Sequence, residues 1–510
     1  MQDTIHNLIR ARAEATPRKT ALIFRERRID YQTLVDKIDR LAAGLQGMGV
    51  RPGSHLALFA GNSVEFALVL LATARLGATV VPLPLTLRGD FRRRALERTD
   101  CQFVIGWFTV IEQLLDEGEL DASQMVTLGR SVAGTRLFED LLIEEPDSTA
   151  LPAVSADMPY ILTMTSGSTG DPKPIVFSQA TKIRRAFDAT QAIYGLGADD
   201  VVLVSTPLYH SLAQRSLLLP LMLGGTAVIM PKFTPGAWLE AVASERVSFL
   251  FAVSNQLEAL VESALLGQYD LGSLRTVISS SAPLANTSKQ ALLRHFDCDI
   301  REIYGASEIG VATELSLRDD RDKYESVGRP LPFVSVKITD EHRQPLETGQ
   351  VGEIACRTTT GFLGYYRDEE ATRASMDQAG FFYTGDLGRL DDEGYLYYVG
   401  RKKEVIITGG INVYPKDVEE VVLASGMVAE CAVVGVPDAR FGEAVVAVIT
   451  PKPDGEPDLR ALRQFCNSRL TDYQMPQAFE VMESLPRNQM GKVMKRELRD
   501  TFEQARVSAR

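Results

Sequence analysis

The sequence predicts a mixed α/β fold of more than one domain, on three observations. The chain has 510 residues, more than a single hydrophobic core accommodates. Apolar strand-like runs alternate with helical-period segments through most of it, the rhythm of crossover units in a parallel sheet. The texture then changes twice, to short alternating segments between 334 and 398 and to a separate α+β pattern in the remaining C-terminal stretch.

In order, residues 4–16 predict an amphipathic helix with Ile5, Leu8, Ile9 and Ala13 on one side. Strands are predicted at 20–24 and 28–31, then a helix over 31–48 carrying Leu34, Ile38, Leu41 and Leu45 at helical spacing. A buried strand at 55–60, a helix at 64–76 and a strand at 79–83 follow, and 103–105 and 111–115 continue the pattern. The polar, proline-bearing stretch 140–157 reads as a surface connection. Beyond it the rhythm resumes, with strands at 200–206, 249–251 and 276–280 and a helix at 237–245. Between 334 and 398 the segments VSVKIT, GEIACR and YLYYVG, separated by turns, predict an antiparallel sheet or small barrel. The charged segment 401–404 divides two apolar strands. A helix at 416–424, strands at 429–436 and 444–450, and a helix at 459–470 complete the C-terminal unit. The preferred boundary lies at Lys403, giving domains 1–402 and 403–510.

Composition excludes several classes. Apolar content of 45% and charged content of 24% are those of a globular protein. A net charge of −12 gives no electrostatic case for nucleic acid or anionic membrane. The longest apolar run, 217–230, is short and broken by Pro220 and Gly224-Gly225, so no membrane span is expected. Five cysteines, odd in number and far apart, argue against a disulfide framework or zinc site and fit a reducing cytoplasm. The N-terminus lacks the apolar core of a signal peptide. Five histidines without a paired Ser/His/Asp signature leave little room for a hydrolase.

The most informative stretch is 160–174, YILTMTSGSTGDPKP. Its opening reads as a buried strand. Gly167 and Gly170 let the backbone approach a ligand closely. Thr165, Ser166, Ser168 and Thr169 supply hydroxyl donors, and Lys173 supplies a positive charge, which together suit a polyphosphate. It is not a Walker A loop, because Pro172 and Pro174 flank the lysine. As a whole string, TSGSTGDPKP resembles the phosphate loop of the adenylate-forming superfamily. That superfamily holds acyl- and aryl-CoA synthetases, luciferases and peptide-synthetase adenylation domains.

Further strings match that family in order along nearly the whole chain. VSTPLYHSLAQR, 204–215, resembles the aromatic-His step that borders the acid pocket, at Tyr209 and His210. Amino-acid-activating relatives carry an Asp shortly after it. No acidic residue occurs between Ser205 and Lys232 here, which weighs against an amino-acid substrate. Arg215 is expected on an exposed helix face, with contact to a polar substrate group as the alternative. RTVISSSAPL, 275–284, has serines at Ser280 and Ser281 where relatives often have glycines; Ala282 and Pro283 follow, and the resemblance puts this segment against the adenine and acyl pocket. IYGASEIG, 303–310, resembles the Tyr-Gly-x-Thr-Glu motif. There Tyr304 offers a face to adenine, Gly305 permits a turn, Ala306 borders the substrate, Ser307 keeps a hydroxyl and Glu308 is a hard oxygen ligand for Mg²⁺. In FYTGDL the resemblance gives Asp386 the ribose hydroxyls, and Arg401 sits where relatives hold the same ribose. Lys403 matches the hinge position, Gly409-Gly410 the pantetheine tunnel, and Lys492 in PRNQMGKVMKREL the catalytic lysine.

The resemblance implies two α/β lobes with a small β-barrel, followed by a mobile α+β lid. It implies ATP, Mg²⁺ and coenzyme A, and a carboxylic acid converted first to acyl-AMP and then to a thioester. His210, Glu308 and Lys492 carry the chemistry in this reading. A separate carrier protein taking the place of CoA, and a non-catalytic adenylate sensor, are the rival readings; a homodimer is compatible with either enzyme. Departures from the family pattern are Pro174, Gln179 and the two serines at 280–281.

Overall fold

The structure is a computed structural model. It describes residues 3–118, 120–142, 151–164, 173–438, 440–453, 455–488 and 491–508. The chain divides into two compact units. The first comprises Met1–Tyr324, Leu331–Val334 and Arg357–Gly380; the second comprises Glu325–Pro330, Ser335–Cys356 and Phe381–Arg510.

The first unit is built on two mixed sheets. One runs through Gly310–Ser316, Asp299–Ala306, Thr276–Ser280, Phe249–Val253, Val201–Val204, Thr226–Ile229, Thr20–Phe24 and Arg27–Asp30. Its inner pairings are parallel, and an antiparallel hairpin closes each end of this series. The other runs through Gly364–Tyr365, Pro174–Ser178, Pro159–Met164, Thr79–Pro82, His55–Phe59, Phe103–Trp107, Met125–Leu128 and Arg136–Leu137. The strands His55–Phe59 and Thr79–Pro82 are buried at every position, as parallel strands covered on both faces must be. Helix Val64–Leu76 is apolar nearly all round and buried nearly all round. Ser63 caps its first turn and Gly77, at φ 73°, ends it. Pro174 takes the first position of its strand, where a missing N–H costs least.

In the second unit the strands Val334–Thr339, Gly352–Thr358, Phe382–Leu390 and Leu396–Arg401 form a four-stranded sheet. Of the expected antiparallel sheet or small barrel it is the sheet: Phe382–Leu390 pairs antiparallel with both Gly352–Thr358 and Leu396–Arg401, and no closed barrel forms among the described residues. Alternation specifies pairing and which face is apolar, but not whether the two edge strands meet. The remainder is α+β. Strands Glu430–Asp438 and Gly442–Thr450 pair along their full length, and Ala478–Val481 adds in parallel. Helices Pro415–Ala424 and Leu459–Asn467 contribute Val418, Val422, Leu462 and Cys466 to a core with Val433, Val445 and Ile449. The expected boundary at Lys403 falls inside this second unit, on the exposed 3-10 turn Lys402–Glu404 between strands. Among the described residues, no helix is long and apolar enough to cross a membrane.

Candidate active site

The glycine-rich loop candidates Thr165, Ser166, Gly167, Ser168, Thr169 and Gly170 lie outside the described residues. The strands on either side of them are described, and pair antiparallel from Met164↔Pro174 to Pro159↔Ser178. Lys173 therefore stands at a fixed strand edge. Its Nζ is 3.7 Å from Asp368 Oδ2 and 5.3 Å from the Tyr365 ring centroid. The same Tyr365 donates its hydroxyl to Glu308 Oε1 at 3.0 Å. One tyrosine thus links the candidate phosphate lysine to the candidate Mg²⁺ carboxylate. Burial and the Glu308 charge push the Tyr365 pKa up, so it stays a donor.

Strand Asp299–Ala306 carries Tyr304, Gly305 and Ala306 directly into the turn that holds Ser307 and Glu308. Gly305 is not the turn residue expected. It lies in the strand beside a register shift, and a Cβ there would come 1.9 Å from the Gly310 carbonyl oxygen. Its glycine is required for close backbone approach. Ser280 ends its strand. Ser281 follows at φ 79°, the left-handed region where glycine is relaxed, so the departure from glycine at this position is a strained one. Ala282 and Pro283 are exposed beyond it, and Ser254 Oγ donates to the Ala282 carbonyl.

The Tyr209 and His210 rings meet at 4.3 Å between centroids, tilted by 46°, immediately before helix Ser211–Leu223. Burial lowers the His210 pKa to about 4, so it is neutral at physiological pH. The Tyr209 hydroxyl is buried and meets no hydrogen-bond partner among the described residues.

Behind this step lie residues that sequence reasoning missed. Lys182 and Arg185, on helix Gln179–Ala186, are buried. Lys182 donates to Gln214 Oε1 at 2.8 Å. Arg185 donates to the Thr360 carbonyl at 2.9 Å and to the Ser307 and Glu308 carbonyls at 2.9 and 3.2 Å. Arg185 thereby holds the turn that presents Glu308. Burial, then the Arg215 charge, lowers the Arg185 pKa to about 9. The signal in the sequence was a Lys-x-x-Arg spacing right after a phosphate-loop strand, which also fits an ordinary amphipathic helix. Arg215 corrects an expectation: it is 8% exposed, not a surface arginine. Helix Ser211–Leu223 is covered on almost every side and takes Arg215 inside with it. Gln179, a departure from the family pattern, accepts from Ile5 N and donates to the Ala74 carbonyl, joining two helices.

In the second unit, Asp386 and Arg401 face each other across a strand pair, with Arg401 Nε 2.9 Å from Asp386 Oδ1. Asp386 is buried and Arg401 half-buried. Lys492 sits on a turn, where its N–H donates to Asn488 Oδ1 at 3.0 Å. The residue is exposed. Desolvation and then Arg401 lower its pKa, while Glu404 and Asp386 oppose them. Asp386, Arg401 and Lys492 thus share one electrostatic neighbourhood. Gly409 and Gly410, at φ 58° and 81°, form the exposed two-residue turn of hairpin Ile406–Thr408/Ile411–Val413. Two positive φ values in such a turn require residues like glycine.

Comparison with known proteins fits this arrangement. The family model described as AMP-binding enzyme matches residues 9–366, and the AMP-binding enzyme C-terminal domain matches 417–492. The chain belongs to the AMP-binding enzyme family. A curated relative, an indoleacetate–CoA ligase of Aromatoleum aromaticum, is 34% identical over 95% of both chains. A feruloyl-CoA synthase of an Amycolatopsis species is 32% identical over 96% of this chain and 97% of that one. Among solved structures, ATP-bound MatB from Rhodopseudomonas palustris superposes with a TM-score of 0.89 at 28% identity, covering 98% of this chain and 99% of that one.

The residues present fit the ligands of this family. Asp386 is a buried acceptor of the kind that holds vicinal hydroxyls, and Lys173, Arg401 and Lys492 are cations suited to phosphate. Among the described residues no cluster of three or more metal-ligating side chains occurs. A lone carboxylate such as Glu308 suits Mg²⁺, which takes most of its remaining ligands from phosphate and water.

Proposed function

We propose that this chain is an ATP-dependent carboxylic acid:CoA ligase acting through an acyl-adenylate. The observation that carries the reading is the convergence of Lys492, Arg401 and Asp386 in one electrostatic neighbourhood. In the first step an acid oxygen attacks the α-phosphorus of ATP. The bond to the β-phosphate breaks, and pyrophosphate leaves with its electron pair. In the second step the CoA sulfur attacks the acyl carbonyl and AMP departs.

Asp386 accepts from the ribose hydroxyls, and Arg401 orients Asp386 while adding charge. Lys492 stabilises the negative charge that grows around the α-phosphate. Lys173 and the loop 165–170 take the β- and γ-phosphates. Tyr304, Ala282 and Pro283 flank the adenine. Glu308 would hold Mg²⁺, which supplies charge neutralisation at the phosphates when bound. Neutral His210, in tilted ring contact with Tyr209, lines the acid pocket and offers a hydrogen bond without adding charge. Gly409-Gly410 leaves room for the pantetheine arm, and Lys403 is the pivot between domains 1–402 and 403–510. A cytoplasmic location accords with five free cysteines.

Pyrophosphate and AMP should form only when ATP and an acid are both present, and acyl-CoA only when CoA is added. A panel of aryl and alkyl acids that releases no pyrophosphate contradicts the reading. Release that proceeds to thioester on a carrier protein but not on free CoA changes the acceptor alone.

A further inference from the structure

We propose that the acid activated here carries a second anionic group, a carboxylate or sulfonate, received by the buried guanidinium of Arg215. This rests on the ligase reading above and names the substrate class for its acid pocket. Arg215 lies five residues after His210, on the helix that begins at the acid-pocket step. It is 8% exposed, and its Nε and Nη1 meet no hydrogen-bond acceptor among the described residues. Its guanidinium carbon stands 5.5 Å from the Phe251 ring centroid. Ser211, one turn earlier on the same face, accepts from Lys182 Nζ and Arg185 Nη1, each at 3.3 Å.

Two buried guanidiniums, Arg185 and Arg215, therefore gather here beside Lys182, whose pKa burial and the two arginines lower well below its usual value. Among the described residues none of them makes an ion pair with a carboxylate, although the surface cations Lys173 and Arg275 do. The acidic groups nearby are engaged elsewhere. Glu314 takes Arg301 and the Tyr194 hydroxyl. Glu308 takes the Tyr365 hydroxyl and spends its charge on Arg185 rather than Arg215. Tyr194 interacts with Arg215 electrostatically, but burial and Glu314 raise its pKa, so it brings no negative charge. Lys182 and Arg185 have neutral acceptors; Arg215 has open N–H groups.

A buried charge is costly unless it is paired and hydrogen-bonded. A buried guanidinium with two open donors, next to a second buried guanidinium, is complementary to an oxyanion, most closely to a carboxylate taken side-on. Within the first unit Lys173 immediately precedes the strand that follows the phosphate loop, so Arg215, on the helix of the acid-pocket step, is the cation assigned to the far end of the acid.

The test uses the full-length enzyme and pairs of acids matched in length, one ending in methyl and one in carboxylate, with a sulfonate-ended third. Acid-dependent pyrophosphate release gives kcat/KM for each. The wild type should prefer the dianionic member by about a hundredfold. Arg215→Met should erase that preference while leaving the KM for ATP unchanged, and Arg215→Lys should keep part of it. Arg215→Met should also melt no lower than the wild type without substrate, which separates loss of recognition from loss of fold. The sulfonate arm tells whether planarity or only charge is read. A wild type that favours methyl-ended acids, or an Arg215→Met variant that loses all acids equally, overturns the proposal. If no acid releases pyrophosphate, the ligase reading fails instead. Calorimetric binding of the diacid to wild type and to Arg215→Met then decides the present proposal by itself.

Discussion

Two arginines in the two units carry the same charge into opposite settings. Arg401 is half-buried and pairs at 2.9 Å with Asp386, its direct partner on the neighbouring strand. Arg215 is buried deeper, and two of its nitrogens meet no acceptor among the described residues. The difference separates a cation used within the fold from one held ready. The Asp386–Arg401 pair satisfies itself and can present its remaining acceptors to a neutral sugar. Arg215 satisfies little locally and therefore suits a ligand that brings its own negative charge. The first arginine thus lies in the second unit with its charge paired, and the other lies in the first unit with two open N–H groups.

The largest expected effect sharpens the role of the second unit. Lys492→Ala should slow acyl-AMP formation a hundredfold or more, since losing one contact to developing charge costs roughly 3 kcal/mol. Conversion of supplied acyl-adenylate to thioester should persist. Equal loss in both half-reactions would show that Lys492 is structural. Next, Asp386→Ala should weaken ATP binding by roughly 1.5–3 kcal/mol and lower the melting temperature, because it strands Arg401. Arg215→Met is expected to leave the melting temperature level or higher. The opposite signs are the sharpest statement of the comparison, and two falls of equal size would break it.

Much of this was legible in the sequence. Helix Val64–Leu76 and strand Thr276–Ser280 fall where their apolar runs end, because Ser63 caps one and neighbouring parallel strands enforce the other. The order of motifs singled out Asp386, Arg401 and Lys492, and the structure gives all three to the second unit. What was not legible follows from long-range packing. Gly305 signals a turn and a close backbone approach equally well, and only the Gly310 carbonyl decides between them. Arg215 read as exposed because charge is usually solvated. The contrary signal was a single cation in a long stretch without acids, inside a helix apolar on nearly every side. Closure of the strands between 334 and 398 depends on edges that no alternation encodes.

Two smaller effects refine the picture. Gly410→Asn should be tolerated better than Gly410→Ala, since φ is 81° there and asparagine accepts the left-handed region. Comparative melting checks this. Both variants should slow thioester formation more than adenylation if the turn passes the thiol arm; equal slowing of both steps reduces the glycines to turn chemistry. The smallest effect concerns His210. Its folded pKa, about 4, lies below the unfolded value of 6.5, so the unfolded chain takes up the proton first. Stability should therefore fall as pH drops from about 6.5 toward 4, and be unaffected by this residue above that window. His210→Gln should flatten that part of the stability profile, and an unchanged profile would place the acid sensitivity elsewhere.

The account's central claim is that the acid's own oxygen attacks the α-phosphorus. The most direct measurement is to run the reaction with a carboxylate labelled in both oxygens with oxygen-18, together with ATP and CoA, and to weigh the products. The claim predicts one labelled oxygen in AMP and none in pyrophosphate. Label in inorganic phosphate with ADP as the co-product, or AMP without label, would contradict it.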